Sequence, residues 1–82
     1  MNRNQLFDKI LQHRYDNPNM LWILPSWCEN ALQITDRNIV KSIVDELNER
    51  DWVTHKTNRS FSVMINYNGQ QIIEKYGSYS SF

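Results

Sequence analysis

Ile34–Val53 reads ITDRNIVKSIVDELNERDWV and holds a helix start, an apolar stripe and a helix stop within twenty residues. Thr35 or Asp36 is a natural N-cap, accepting the free backbone N–H groups of a first turn. Ile39, Val40, Ile43, Val44 and Leu47 then keep one face apolar through nearly three turns, which predicts an amphipathic helix over 36–50. Asp51 stands where that helix would stop. Behind it, WVTHKT at Trp52–Thr57 has the β-branched and aromatic make-up of a strand.

The pattern continues outward in both directions. Asn58–Arg59 suits a tight turn, and SFSVMI at Ser60–Ile65 alternates Phe61, Val63 and Ile65 with Ser60, Ser62 and Met64, the period of a second strand. Asn66 is placed to cap a last helix in which Ile72, Ile73 and Tyr76 recur before Gly77 ends it. Upstream, Leu6, Phe7, Ile10 and Leu11 give Asn4–Tyr15 the stripe of another amphipathic helix, and YDNPN at Tyr15–Asn19 breaks it. Met20–Leu24 reads either as a short buried strand or as a helical turn. Pro25 suits a first helical turn, so a short helix is expected over Pro25–Leu32 with Trp27, Cys28, Ala31 and Leu32 inward. The fold class expected is mainly α with a small β-hairpin. Residues 1–77 form one domain, and 78–82, within GSYSSF, form a C-terminal tail that either stays flexible or docks on a partner or a second copy.

Composition narrows the function. The chain has 82 residues, 40% of them hydrophobic, enough for one modest core. Formal net charge is zero, which argues against strong nonspecific binding to nucleic acid but leaves room for a local basic patch. Cys28 is the single cysteine, so no internal disulfide forms and a reducing, cytoplasmic setting is expected. The N-terminus lacks the apolar core of a signal peptide, and the longest apolar run, Met20–Leu24, is far too short to span a bilayer. Cys28 has no CxxC context and reads as a small buried hydrophobe, while His13 and His55 sit in no motif. Two glycines, Gly69 and Gly77, make no phosphate-cradling loop. No catalytic residues, metal or cofactor are therefore expected. Trp22, Trp27 and Trp52, all in apolar contexts, read as core rather than as stacking platforms.

The order of elements from Asn4 to Gly77 resembles the winged helix-turn-helix superfamily. The most specific part is ITDRNIVKSIVDELNERDWV followed by a hairpin and then by INYNGQQIIEKYG. That succession is similar to the family's recognition helix, wing and closing helix, the last opening with a polar cap and a glycine three residues on, here Asn66 and Gly69. Two departures stand out. Asp51 occupies a position where members often carry glycine, and the helix turns acidic in its second half at Asp45, Glu46 and Glu49.

The resemblance implies a small transcriptional regulator of bacterial or phage type that binds double-stranded DNA. It would read DNA with helix 36–50 and a wing over 52–65, as a homodimer joined by the first helix or the tail. With the apolar stripe removed, Arg37, Asn38, Lys41 and Ser42 face outward in the first two turns, the residue types that pair with base edges. Lys56 and Arg59, on or beside the wing turn, are suited to phosphates. The competing expectation is a protein–protein interaction module on the same fold. It is motivated by the zero net charge, by the acidic second half of the helix, and by Ile39 and Met64 if those apolar side chains are exposed. Arg, Asn, Lys and Ser also make up an ordinary solvated helix face.

Overall fold

Helices form where the chain carries both an apolar stripe and a local means of closing the ends. The computed structural model describes residues 2–18, 22–55 and 62–79. Within them run α1 (Arg3–Asp16), β1 (Trp22–Ile23), α2 (Leu24–Leu32), α3 (Arg37–Glu49), β2 (Val53–His55), β3 (Ser62–Ile65) and α4 (Tyr67–Tyr76). The fold is mainly helical with a small antiparallel sheet.

Each cap has a traceable cause. Asn2 and Gln5 form a capping box on α1, each backbone N–H donating to the other's side-chain oxygen at 2.9 Å. On α3 the cap is Asp36 rather than Thr35, its Oδ1 accepting from the Asn38 N–H at 3.0 Å. At the other end Asp51 adopts the left-handed conformation, with φ 57°. The Trp52 N–H then donates to the Leu47 carbonyl at 3.0 Å and the Asp51 N–H to Asn48 at 3.1 Å, which is the Schellman closure. Asp51 thus does the work of glycine, and the Asn66 and Asn68 amides donate to its carbonyl at 2.7 and 3.2 Å. Asn66 caps α4 by accepting from the Gly69 N–H at 3.0 Å, and Gly77 ends that helix at φ 82°.

The ambiguous segment resolves partly into a strand. Trp22 and Ile23 pair antiparallel with Val63 and Ser62, so the sheet order is β1-β3-β2. β2 pairs with β3 through Val53–Ile65, Thr54–Met64 and His55–Val63. The expected Asn58–Arg59 turn lies outside the described residues, as do the adjoining strand ends at 56–57 and 60–61. Because β1 leads directly into α2, it anchors the hairpin to the helical body.

The core lies between α1, α3, α4 and the sheet. Leu6, Phe7, Ile10 and Leu11 meet Val40, Ile43, Val44 and Leu47, with Cys28, Trp52, Val53, Ile65, Ile72 and Ile73 completing it. Four expectations need adjusting. Ala31 faces solvent, because α2 reaches its neighbours through the longer Trp27 and Leu32, both half-buried, while Cys28 is buried. Tyr76 is 42% exposed, so the inward stripe of α4 ends at Ile73. Ile39 and Met64 are half-buried rather than exposed, and Ile39 packs against the core. Among the described residues, no helix is long and apolar enough to cross a membrane.

Candidate nucleic-acid interface

The outward face of α3 is fixed by its inward one. Val40, Ile43, Val44 and Leu47 are all at most 1% exposed, so at 100° per residue the opposite side carries Asn38, Ser42, Asp45 and Glu49, flanked by Lys41. Arg37, Asn38, Lys41 and Ser42 are all exposed, as the sequence pattern required. They occupy the first two turns, beside backbone N–H groups that carry the positive end of the helix dipole. Lys56 and Arg59 fall outside the described residues.

The four side chains are not equally available. Lys41 Nζ contacts Asp45 Oδ2 at 3.0 Å one turn along, with both side chains more than half exposed. Such a pair contributes only about 0.3–0.5 kcal/mol, so a stronger acceptor draws Lys41 away at little cost. The Ser42 hydroxyl donates to the Ile39 carbonyl at 2.9 Å and accepts from Arg3 Nε at 3.4 Å, which turns it toward α1. Arg37 and Asn38 stand at the front of the helix.

The acidic half of α3 is organised rather than simply solvated. Glu46 accepts from Arg3 Nη2 at 2.9 Å, from Arg50 Nε at 3.0 Å and from the Tyr79 hydroxyl at 3.2 Å. Partial burial pushes the Glu46 carboxyl up, but hydrogen bonds from Arg3 and Tyr79, with the charges of Arg3 and Arg50, outweigh it. They hold the group below the ordinary value of 4.5. Two cations therefore screen the carboxylate nearest α1, and Lys41 screens Asp45. Arg3, Arg50 and Tyr79 come from three distant segments, so no local sequence pattern marks the cluster.

Around α2 the chemistry is quieter. Cys28 is buried, and burial pushes its thiol up to about 11, so it is a poor nucleophile at neutral pH. His13 stacks on Trp27 with ring centroids 4.0 Å apart. Burial and the adjacent Arg14 guanidinium hold its imidazole down, against a smaller opposing effect of Asp16. Arg14 is itself fully buried, with Nη2 at 2.7 Å from His13 Nδ1, and burial brings it to about 10. That geometry makes Nδ1 the acceptor of a neutral ring. The groove beside this stack is lined by Lys9, Gln12, His13, Asp16, Trp27 and Leu32. Among the described residues no three His, Cys, Asp or Glu side chains come together in a set that would hold a metal ion. Comparison with known protein families, curated proteins and solved structures gives no significant match for this chain.

Proposed function

We propose that this chain is a small winged-helix protein that binds double-stranded DNA, a transcriptional regulator of bacterial or phage type acting as a homodimer. Its α3 enters the major groove N-terminus first, and the β2–β3 connection reaches the adjacent backbone. The observation that carries this reading is the polarity of α3. Arg37, Asn38 and Lys41 stand exposed at its leading end beside the capping carboxylate of Asp36, while Asp45, Glu46 and Glu49 lie in its trailing half. A tilted, N-terminus-first approach puts the positive end of the helix against DNA and keeps Glu49 outside. The pairing of β1 with β3 supports it too, since the strand before α2 ties the described part of the hairpin to the helical body. Neutralisation of Glu46 by Arg3 and Arg50 removes part of the repulsion that the sequence alone suggests.

In this reading Arg37, Asn38, Lys41 and Ser42 contact base edges, and Lys56 and Arg59 contact phosphates. Ser42 is the weakest member, since its hydroxyl is already engaged within α3 and by Arg3. The zero net charge and the Lys41–Asp45 pair favour a second reading, in which the same face binds a protein. A titration of the purified protein against mixed genomic DNA fragments, at low and at moderate salt, separates the two. Retention of a subset of fragments, weakening as salt rises, supports the DNA reading. No retention even at low salt removes it in favour of the protein partner.

A further inference from the structure

Tyr79, beyond the end of α4, has an elaborate seat. Its ring lies on Phe7, with centroids 3.9 Å and planes 25° apart, and meets Trp52 edge-on at 6.2 Å. Its hydroxyl donates to Glu46 Oε2 at 3.2 Å, and the Arg50 guanidinium sits 5.5 Å from the ring centre. One side chain thus touches α1, α3 and the residue leading into β2.

The approach to that seat is short and turns at the cap of α4. α4 closes with the Gly77 N–H donating to the Ile73 carbonyl at 2.8 Å, and Gly77 then turns the chain back in the left-handed region. Only Ser78 separates Gly77 from Tyr79. A Cβ placed on Gly77 would meet nothing within 4 Å, so the turn stands in uncrowded space. The seat adds to a junction of α1 and α3 that holds buried apolar side chains, Leu6, Phe7, Val44 and Leu47 among them, and polar contacts from Arg3 to Glu46 at 2.9 Å and to Ser42 at 3.4 Å. The polar contacts are partly solvated and weak on their own. The stacked rings and the hydroxyl bonded to a carboxylate are stronger elements. Removing Tyr79 uncovers one face of Phe7, which is fully buried, and takes a donor from Glu46.

We propose that Gly77–Tyr79 is a releasable latch on α3. Hinged at Gly77 with Tyr79 as its bolt, it clamps the first turns of α1 to the last turns of α3 when seated. When it swings out, those two ends loosen while the remaining core stays folded. The latch concerns contacts within the chain and stands whether or not DNA is bound. It makes α3 responsive to whatever engages the C-terminal segment, by an amount set by that binder's preference for the released state.

Native-state hydrogen exchange on the full chain tests the latch, comparing the wild type with Tyr79→Ala and Tyr79→Phe. In Tyr79→Ala the amides of Leu6–Ile10 and Glu46–Arg50 are expected to exchange roughly tenfold faster or more, while those of Ile72 and Ile73 keep their rates. Tyr79→Phe keeps the ring and loses only the hydroxyl, so it should show the same localised pattern at smaller amplitude. Equal acceleration of every amide in either variant makes Tyr79 an ordinary core residue and overturns the latch. So does an unchanged profile in both, or unfolding of Tyr79→Ala without a localised change in Tyr79→Phe.

Discussion

Gly69→Ala is the sharpest test of how α4 sits on the sheet. In most exposed helix positions this change stabilises a protein, because alanine is the better helix former by about 0.8–1.0 kcal/mol. Gly69 is different because it is buried in the first turn of α4, against the backbone entering β2. An alanine Cβ there would collide with the Trp52 carbonyl and lie 2.7 Å from Ile65 Cγ1. The first obstacle is backbone, which cannot rotate aside, and that same carbonyl accepts the Asn66 N–H at 3.1 Å. Overpacking of this kind costs about 1–3 kcal/mol, and a weakened hydrogen bond adds about 0.5–1.5 kcal/mol. With the helix-propensity gain subtracted, a net loss of about 0.5–3.7 kcal/mol remains. In a domain of this size that lowers Tm by roughly 2–30 °C. Thermal unfolding followed by circular dichroism, with urea titration alongside, gives the number. A Gly69→Ala protein as stable as the wild type, or more so, would refute the close approach of α4 to Trp52 and Ile65.

Other perturbations probe different contacts. Leu47 is fully buried on α3, so Leu47→Ala is expected to lose about 2–5 kcal/mol in urea unfolding, and a loss below about 1 kcal/mol would contradict its placement. Glu46 has a folded-state pKa below its ordinary 4.5, so its contribution is fully present above that value and is lost as pH falls through the folded pKa. Glu46→Gln should therefore be less stable than wild type at neutral pH, with the gap narrowing in acid; a gap that does not depend on pH would contradict the Arg3–Glu46–Arg50 cluster. Asp51→Gly is expected to be nearly neutral in the same unfolding assay. Relief of the left-handed conformation, about 1–2 kcal/mol, offsets the side-chain bonds from Asn66 and Asn68; a large loss would show that those bonds dominate.

What the sequence revealed and what it concealed divide along one physical line. The stripe Val40–Leu47, the caps at Asp36 and Asn66, and the stops at Asp51 and Gly77 are local signals, written within a turn or two of where they act. All of them appear in the structure. The strand at Trp22–Ile23 depends on a partner forty residues away, and a run of five apolar residues fits strand or helix equally. Ala31 was expected inward because periodicity does not report side-chain reach. Arg14, buried in α1, follows from neither composition nor stripe. Tyr79 lies in a tail without a core pattern, and its partners Phe7, Glu46 and Trp52 are brought to it only by the finished fold. For the candidate interface, outward placement of Arg37, Asn38, Lys41 and Ser42 was legible, while the engagement of Lys41 by Asp45 and of Ser42 by Arg3 needed coordinates.

The central claim is that the leading end of α3 reads bases, and variant titrations against a retained DNA fragment and its base-substituted versions test it most directly. Asn38→Ala and Lys41→Ala should each lose discrimination at particular base positions, by roughly 1–3 kcal/mol. Arg59→Ala should instead weaken all versions alike and lower the slope of log affinity against log salt by about one. If Asn38→Ala and Lys41→Ala bind every version as the wild type does, α3 does not enter the groove.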